Sequence, residues 1–124
     1  MLCLATAVTT VMLLTSSITL SWDHSVEKTH WQEHYQITDN QLHLVEASVQ
    51  GSGAGMEPPP GARLEQGAWH WQPDIWLEQL TLASSEFTGD YTLCLDSGLC
   101  RPLGHWLLSG HKVTLIPCDA PEVN

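Results

Sequence analysis

The chain is short of positive charge: four lysines and arginines stand against fourteen aspartates and glutamates in 124 residues, a formal net charge of -10. Such a balance repels phosphate backbones and anionic membrane surfaces and leaves no basic patch for either, which excludes nucleic-acid binding. The phosphate-cradling G-x-x-x-x-G-K-[ST] motif and the nucleophile turn G-x-S-x-G are both missing, so neither nucleotide binding nor serine hydrolysis has a starting point. The four cysteines contain no second closely spaced pair to complete a tetrahedral metal site. No stretch carries a convincing helical period. A chain of this length is one domain, large enough for a core but not for two.

Charge is absent altogether from the first twenty residues, MLCLATAVTTVMLLTSSITL. An apolar run from Leu2 to Leu14, followed by the small residues Thr15 to Ser17, reads as an export segment over residues 1–17, ahead of a single domain over 18–124. Its threonines argue against a permanent membrane span. The basic n-region of a leader is missing, and a buried strand has a similar composition. Removing the segment takes Cys3 with it and leaves Cys118 without an obvious partner. Cys3 lies too near the start to be a lipid-modified cysteine. The expected location is the periplasm or another extracytoplasmic compartment.

Most of what charge and aromatic density there is lies in Ser21 to Ile37, SWDHSVEKTHWQEHYQI. Trp31, Tyr35 and Ile37 alternate with Gln32, His34, Gln36 and Thr38, the period of a half-buried strand, and Glu33 then shares the inward face. Ile18, Leu20, Trp22 and His24 alternate likewise with Thr19, Ser21 and Asp23. Two strands joined near Ser25 to Thr29 follow. Asp39-Asn40 supplies a turn before a third strand over Gln41 to Val49, in which Leu42, Leu44 and Glu46 alternate with His43, Val45 and Ala47. The segment GSGAGMEPPPG admits neither helix nor ladder. It reads as a solvent loop whose Gly51, Gly53 and Gly55 can bring backbone N–H groups close to a ligand.

Further on, AWHWQP places Trp69 and Trp71 on one side and His70 on the other, Pro73 breaks the run, and Leu80 and Leu82 alternate with Thr81. YTLCLDSGLCRPL reads as two short strands around Asp96-Ser97-Gly98. Gly98 can take positive φ there, and if Leu95 faces Leu99 across the turn, Cys94 faces Cys100 and the two can form a cross-strand disulfide. HKVTLIPC is a last strand. The fold expected is mainly β, a small antiparallel sandwich or barrel of about seven short strands.

Four chemistries can be weighed on these residues. His30-Trp31-Gln32-Glu33-His34 matches the H-x-x-E-H pattern of zinc proteases, which works on a helix; on a strand its histidines stand about 13 Å apart, too far for one ion. A non-catalytic metal site using His24, Glu33 and His43, with Glu27 nearby, competes with hydrogen-bonded histidines at a strand end. Six tryptophans invite an aromatic pocket for a small organic solute, cationic or polyhydroxyl, although alternation already makes most of them core. Ser25 follows His24 directly, and strand neighbours point to opposite faces, so no nucleophile-base pair forms. The expectation is binding without catalysis and without a cofactor. Its site comprises His24, Ser25, Glu27, Lys28, Trp31 and Glu33, with Gly53 and Gly55.

HSVEK at His24 to Lys28, W-x-E-x-Y from Trp31 to Tyr35, LVEA after His43, GSGAGM at Gly51 to Met56, WHWQP, and the LC…GLCRPL hairpin together resemble the bacterial domain-of-unknown-function family 1850. That family comprises short exported proteins often found beside TRAP-type transporters of the TAXI class. The resemblance implies a setting, namely a transport-associated protein whose partners are transporter components or their solute. It brings no catalytic residues.

Overall fold

In the computed structural model the described residues are 1–24, 29–50, 59–83, 91–106 and 112–119. Strands dominate, and they fall into two antiparallel sheets facing one another. The larger sheet is built around a meander of β3 (Ser17–His24), β4 (Thr29–Thr38) and β5 (Gln41–Gln50). On the β3 side it continues through β10 (Thr92–Leu95) to β11 (Cys100–Pro102); on the β5 side it continues through β7 (Ala68–Trp71) to β6 (Arg63–Glu65). A further strand, β8 (Ile75–Leu77), pairs with β5 beside β7. The ends, β11 and β6, do not meet, so the sheet is open and the architecture is sandwich-like.

The smaller sheet has four strands in the order β2 (Thr10–Leu13), β1 (Leu2–Ala5), β12 (Lys112–Pro117) and β9 (Leu80–Ala83). The segment expected to be an export leader thus forms a hairpin, β1 to β2, and accounts for part of the excess over the seven strands expected. The rest comes from the three-residue strands β6 and β8, too short to show a period.

Local chemistry explains the meander. Asp39 and Asn40 take φ of 53° and 60°, the paired positive values of a two-residue hairpin turn, and Thr38 faces Gln41 across it. Gln66 and Gly67 repeat this between β6 and β7, with φ of 52° and 80°. Gly98 has φ of 94° in the turn of the β10–β11 hairpin, where Cys94 faces Cys100 in register and is disulfide-bonded to it. The opposed-cysteine geometry expected there is the one observed.

Alternation sends Ile18 and Leu20 of β3, Tyr35 of β4, Leu42 and Leu44 of β5, and Leu93 of β10 inward. They meet Leu2, Leu4, Leu13, Leu82, Val113 and Leu115 from the smaller sheet. One expectation is corrected here. Glu46 does not follow Leu42 and Leu44 inward, because His34 pairs with Glu46 while Tyr35 pairs with Leu44, leaving Val45 as an extra residue in a β-bulge. Beyond the bulge the inward residues are Ala47 and Val49, and Glu46 is exposed. A second correction concerns Cys118. It has a partner, Cys3, so both pairs are disulfides and no described cysteine is free.

Candidate functional site

On the inner face of the larger sheet the register sets Trp22 opposite Trp31, Trp31 opposite Val49 and Val49 opposite Trp69, with Leu20, Glu33, Ala47 and Trp71 forming the adjacent row. Strand pairing therefore delivers an aromatic group around one carboxylate. Trp22 and Trp31 lie parallel with ring centroids 6.2 Å apart and planes 5° apart; Tyr91, just ahead of β10, packs 5.3 Å from Trp22 at 54°; Trp71 meets Trp31 edge-on at 6.3 Å. The Trp31 ring is held in place by its indole N–H, which donates to the buried Thr29 hydroxyl at 3.0 Å.

Glu33 sits half-buried in this surround, and the Tyr35 hydroxyl donates to its Oε1 at 3.1 Å. Burial raises the Glu33 carboxyl above the ordinary glutamate range, partly offset by that hydrogen bond. Burial, then the charge of Glu33, raises both tyrosine phenols, so Tyr35 remains a donor and Tyr91 stays neutral. The result is a partly desolvated carboxylate beside two tyrosines, on the face that carries the tryptophans. Such a group can accept hydrogen bonds from a ligand or stack against its faces.

Of the expected site residues, the structure brings Trp31 and Glu33 together. His24 ends β3, opposite Thr29. Ser25, Glu27, Lys28, Gly53 and Gly55, with Gly51 of the glycine loop, lie outside the described residues. The chain enters 25–28 from His24 and 51–58 from Gln50. Since His24 pairs with Thr29 and Gln50 with His30, both segments begin at the sheet end that carries Trp22 and Trp31.

The metal set is not assembled. Glu33 points inward, whereas His43 lies on the opposite face, its Nε2 2.6 Å from Asp74 Oδ1 and its ring stacked on Trp76 at 3.8 Å. Among the described residues no group of three histidine, cysteine or acidic side chains is arranged to hold an ion. His30 and His34 belong to a strand, not the helix that the H-x-x-E-H chemistry requires; His30 Nδ1 is 2.8 Å from Asp23 Oδ1, and His34 Nδ1 is 3.0 Å from Thr19 Oγ1.

Sequence reasoning missed two features. Tyr91 belongs to no motif and reaches Trp22 only through the β10–β3 pairing. On the outer face, His34, Glu46 and His70 line a recess of about 360 Å³ with Gln32 and Ser48, and His70 Nδ1 stands 3.6 Å from Glu46 Oε1. The even-numbered alternation of β4 and the His70 position opposite Trp69 and Trp71 were the available signals; the bulge that turns Glu46 outward was not.

Comparison with known proteins bears on the whole sheet that carries the site. No curated protein and no solved structure gives a significant match. A family model does match, over residues 18–103, which takes in every strand of the larger sheet and more than half of the chain. The chain belongs to the family described as Domain of unknown function (DUF1850).

Proposed function

We propose that this protein is an extracytoplasmic binding module that works beside a TRAP-type solute transport system of the TAXI class, and that it acts by binding rather than by catalysis. The observation that carries the reading is the half-buried Glu33, hydrogen-bonded by Tyr35, on the inner-face rows that also carry Trp22, Trp31 and Trp71. A partly desolvated carboxylate costs stability, and a ligand or partner that donates to it recovers part of that cost. His24, Ser25, Glu27 and Lys28 follow directly from the end of β3, and the glycine segment with Gly53 and Gly55 follows from β5. The proposal assigns both to the same site.

Two disulfides are compatible with an oxidising, extracytoplasmic compartment such as the periplasm. The net charge of -10 directs the search toward protein or small-solute partners. Candidate partners are the transporter components themselves or the organic solute they handle.

The test is direct binding, by calorimetry, of the purified protein to the solute receptor of a TAXI system and to that receptor's solute, each alone and then together. Wild-type protein should bind one of them, and Trp31→Ala and Glu33→Gln should each weaken it by tenfold or more while retaining the wild-type circular dichroism spectrum. Full-strength binding by both variants would move the site elsewhere. No binding by the wild type in any combination would overturn the transport reading.

A further inference from the structure

The N-terminal segment has the composition of an export leader, but its structure is that of a core element. Leu2 and Leu4 are 0% exposed and Leu13 is 8% exposed, all within the main cluster. β1 is an inner strand of the smaller sheet, paired with β2 on one side and with β12 on the other from Leu2↔Pro117 to Ala5↔Thr114. Without it, β9 and β12 are left as a two-stranded ribbon, below what stands alone in water.

The polar residues within this apolar run have structural work as well. Thr6 accepts at Oγ1 from the N–H groups of Val8 and Thr9, and its own N–H donates to Thr9 O at 2.8 Å, making the turn of the hairpin. The small residues that by composition mark a cleavage point are the junction to the larger sheet. Thr15 Oγ1 donates to Ser17 O and accepts from Asp96 N–H, the Ser16 N–H and hydroxyl donate to Asp96, and Ser16 O accepts from Ile37 N–H. A leader has no need of a turn in its middle or of a bonded junction at its end.

We propose that residues 2–17 remain in the mature protein as the closing hairpin of the smaller sheet and are not removed as a leader, with the Cys3–Cys118 disulfide fastening them to the C-terminal strand. The inference concerns maturation and is independent of any ligand.

It is tested on protein purified from its own cells without reductant and digested with trypsin. Cleavage after Lys28, Arg63 and Lys112, with Arg101 shielded by Pro102, leaves Cys3 in 1–28, Cys118 in 113–124 and the Cys94–Cys100 pair together in 64–112. The expected product is a single disulfide-linked species joining 1–28 to 113–124, which reduction splits into its two peptides. A mature N-terminus near Ser17, or a 113–124 peptide free of 1–28, would overturn the proposal. A second measurement does not depend on processing. Deletion of 2–17 should abolish the cooperative thermal transition, and a truncated chain melting at the wild-type temperature would also overturn it.

Discussion

The two sheets are built on different principles. In the larger one, β3, β4 and β5 are neighbours in sequence and in space, joined by tight turns, and its disulfide closes a separation of 6 residues. The smaller one is assembled from both ends of the chain, with β1 and β12 adjacent in the sheet and their disulfide spanning 115 residues. Local pairing needs little help from a crosslink, because the turn has already brought the strands together. Where partners lie a whole chain apart, closure entropy is large and a covalent tie removes most of it. The candidate site lies on the locally specified sheet, and the crosslink with the greatest reach guards the sheet that covers the core.

The comparison breaks first at the disulfides. Replacing Cys3 and Cys118 together by serine should destabilise by about 5 kcal/mol on chain-entropy grounds, against about 2 kcal/mol for Cys94 and Cys100 together. Urea denaturation of the two double variants measures both. Equal losses would show that the smaller sheet holds without its long tie.

Next is packing. Leu4→Ala in the smaller sheet and Leu20→Ala in the larger remove equally buried side chains, each 0% exposed, and should each cost about 2–5 kcal/mol. Loss in Leu4→Ala should appear chiefly as faster unfolding, with Leu20→Ala also slowing folding, if the local meander forms first. Stopped-flow chevrons separate the two.

A smaller effect has a sign set by pH. Because burial raises the folded-state pKa of Glu33, its ionisation opposes folding: the stability contribution is full below the unfolded value of about 4.3 and is lost as pH rises through the folded value. Glu33→Gln keeps an acceptor for the Tyr35 hydroxyl and removes the charge. It should be more stable than wild type at pH 7 by less than about 1 kcal/mol, since solvent still screens the group, and the advantage should vanish below about pH 4. A thermal-melt series across pH checks it.

Asp96 has the opposite sign and the smallest effect. Hydrogen bonds from the Ser16 N–H and hydroxyl lower its pKa, so its contribution holds at neutral pH and fades as pH falls below the ordinary aspartate value of about 3.9. Asp96→Asn should lower the melting temperature slightly at pH 7, and the difference should shrink as pH falls through the lowered folded value.

What could be read from the sequence follows the same division. Period-two alternation placed β3 and β4, Asp39-Asn40 marked the return from β4 into β5, and the Cys94–Cys100 hairpin needed only a glycine in the right place. These are short-range signals, and the larger sheet is made of them. In the smaller sheet β9 and β12 were legible, but β1 and β2 were hidden because an apolar run of Leu, Val and Thr has much the same composition as a leader or as a buried strand, and no spacing rule pairs cysteines 115 positions apart. Within the site, Trp31 and Glu33 were visible as odd positions of one strand. Tyr91 was not, since its place depends on which strand borders β3. Glu46 was misassigned because a single extra residue, Val45, reverses every face that follows.

The Cys118 N–H donates to Met1 O at 3.0 Å, beside the Cys3–Cys118 bond. The first and last described strands are thus held side by side in one sheet, with Met1 bonded to Cys118. A circular permutant opened at the exposed Gln66–Gly67 turn, with Asp119 joined to Met1 by a short linker, should keep every described strand pairing. In such a molecule the disulfide would close only a short loop and lose about half of its leverage. The remainder of its stabilising effect in the natural chain belongs to the order in which the strands are strung.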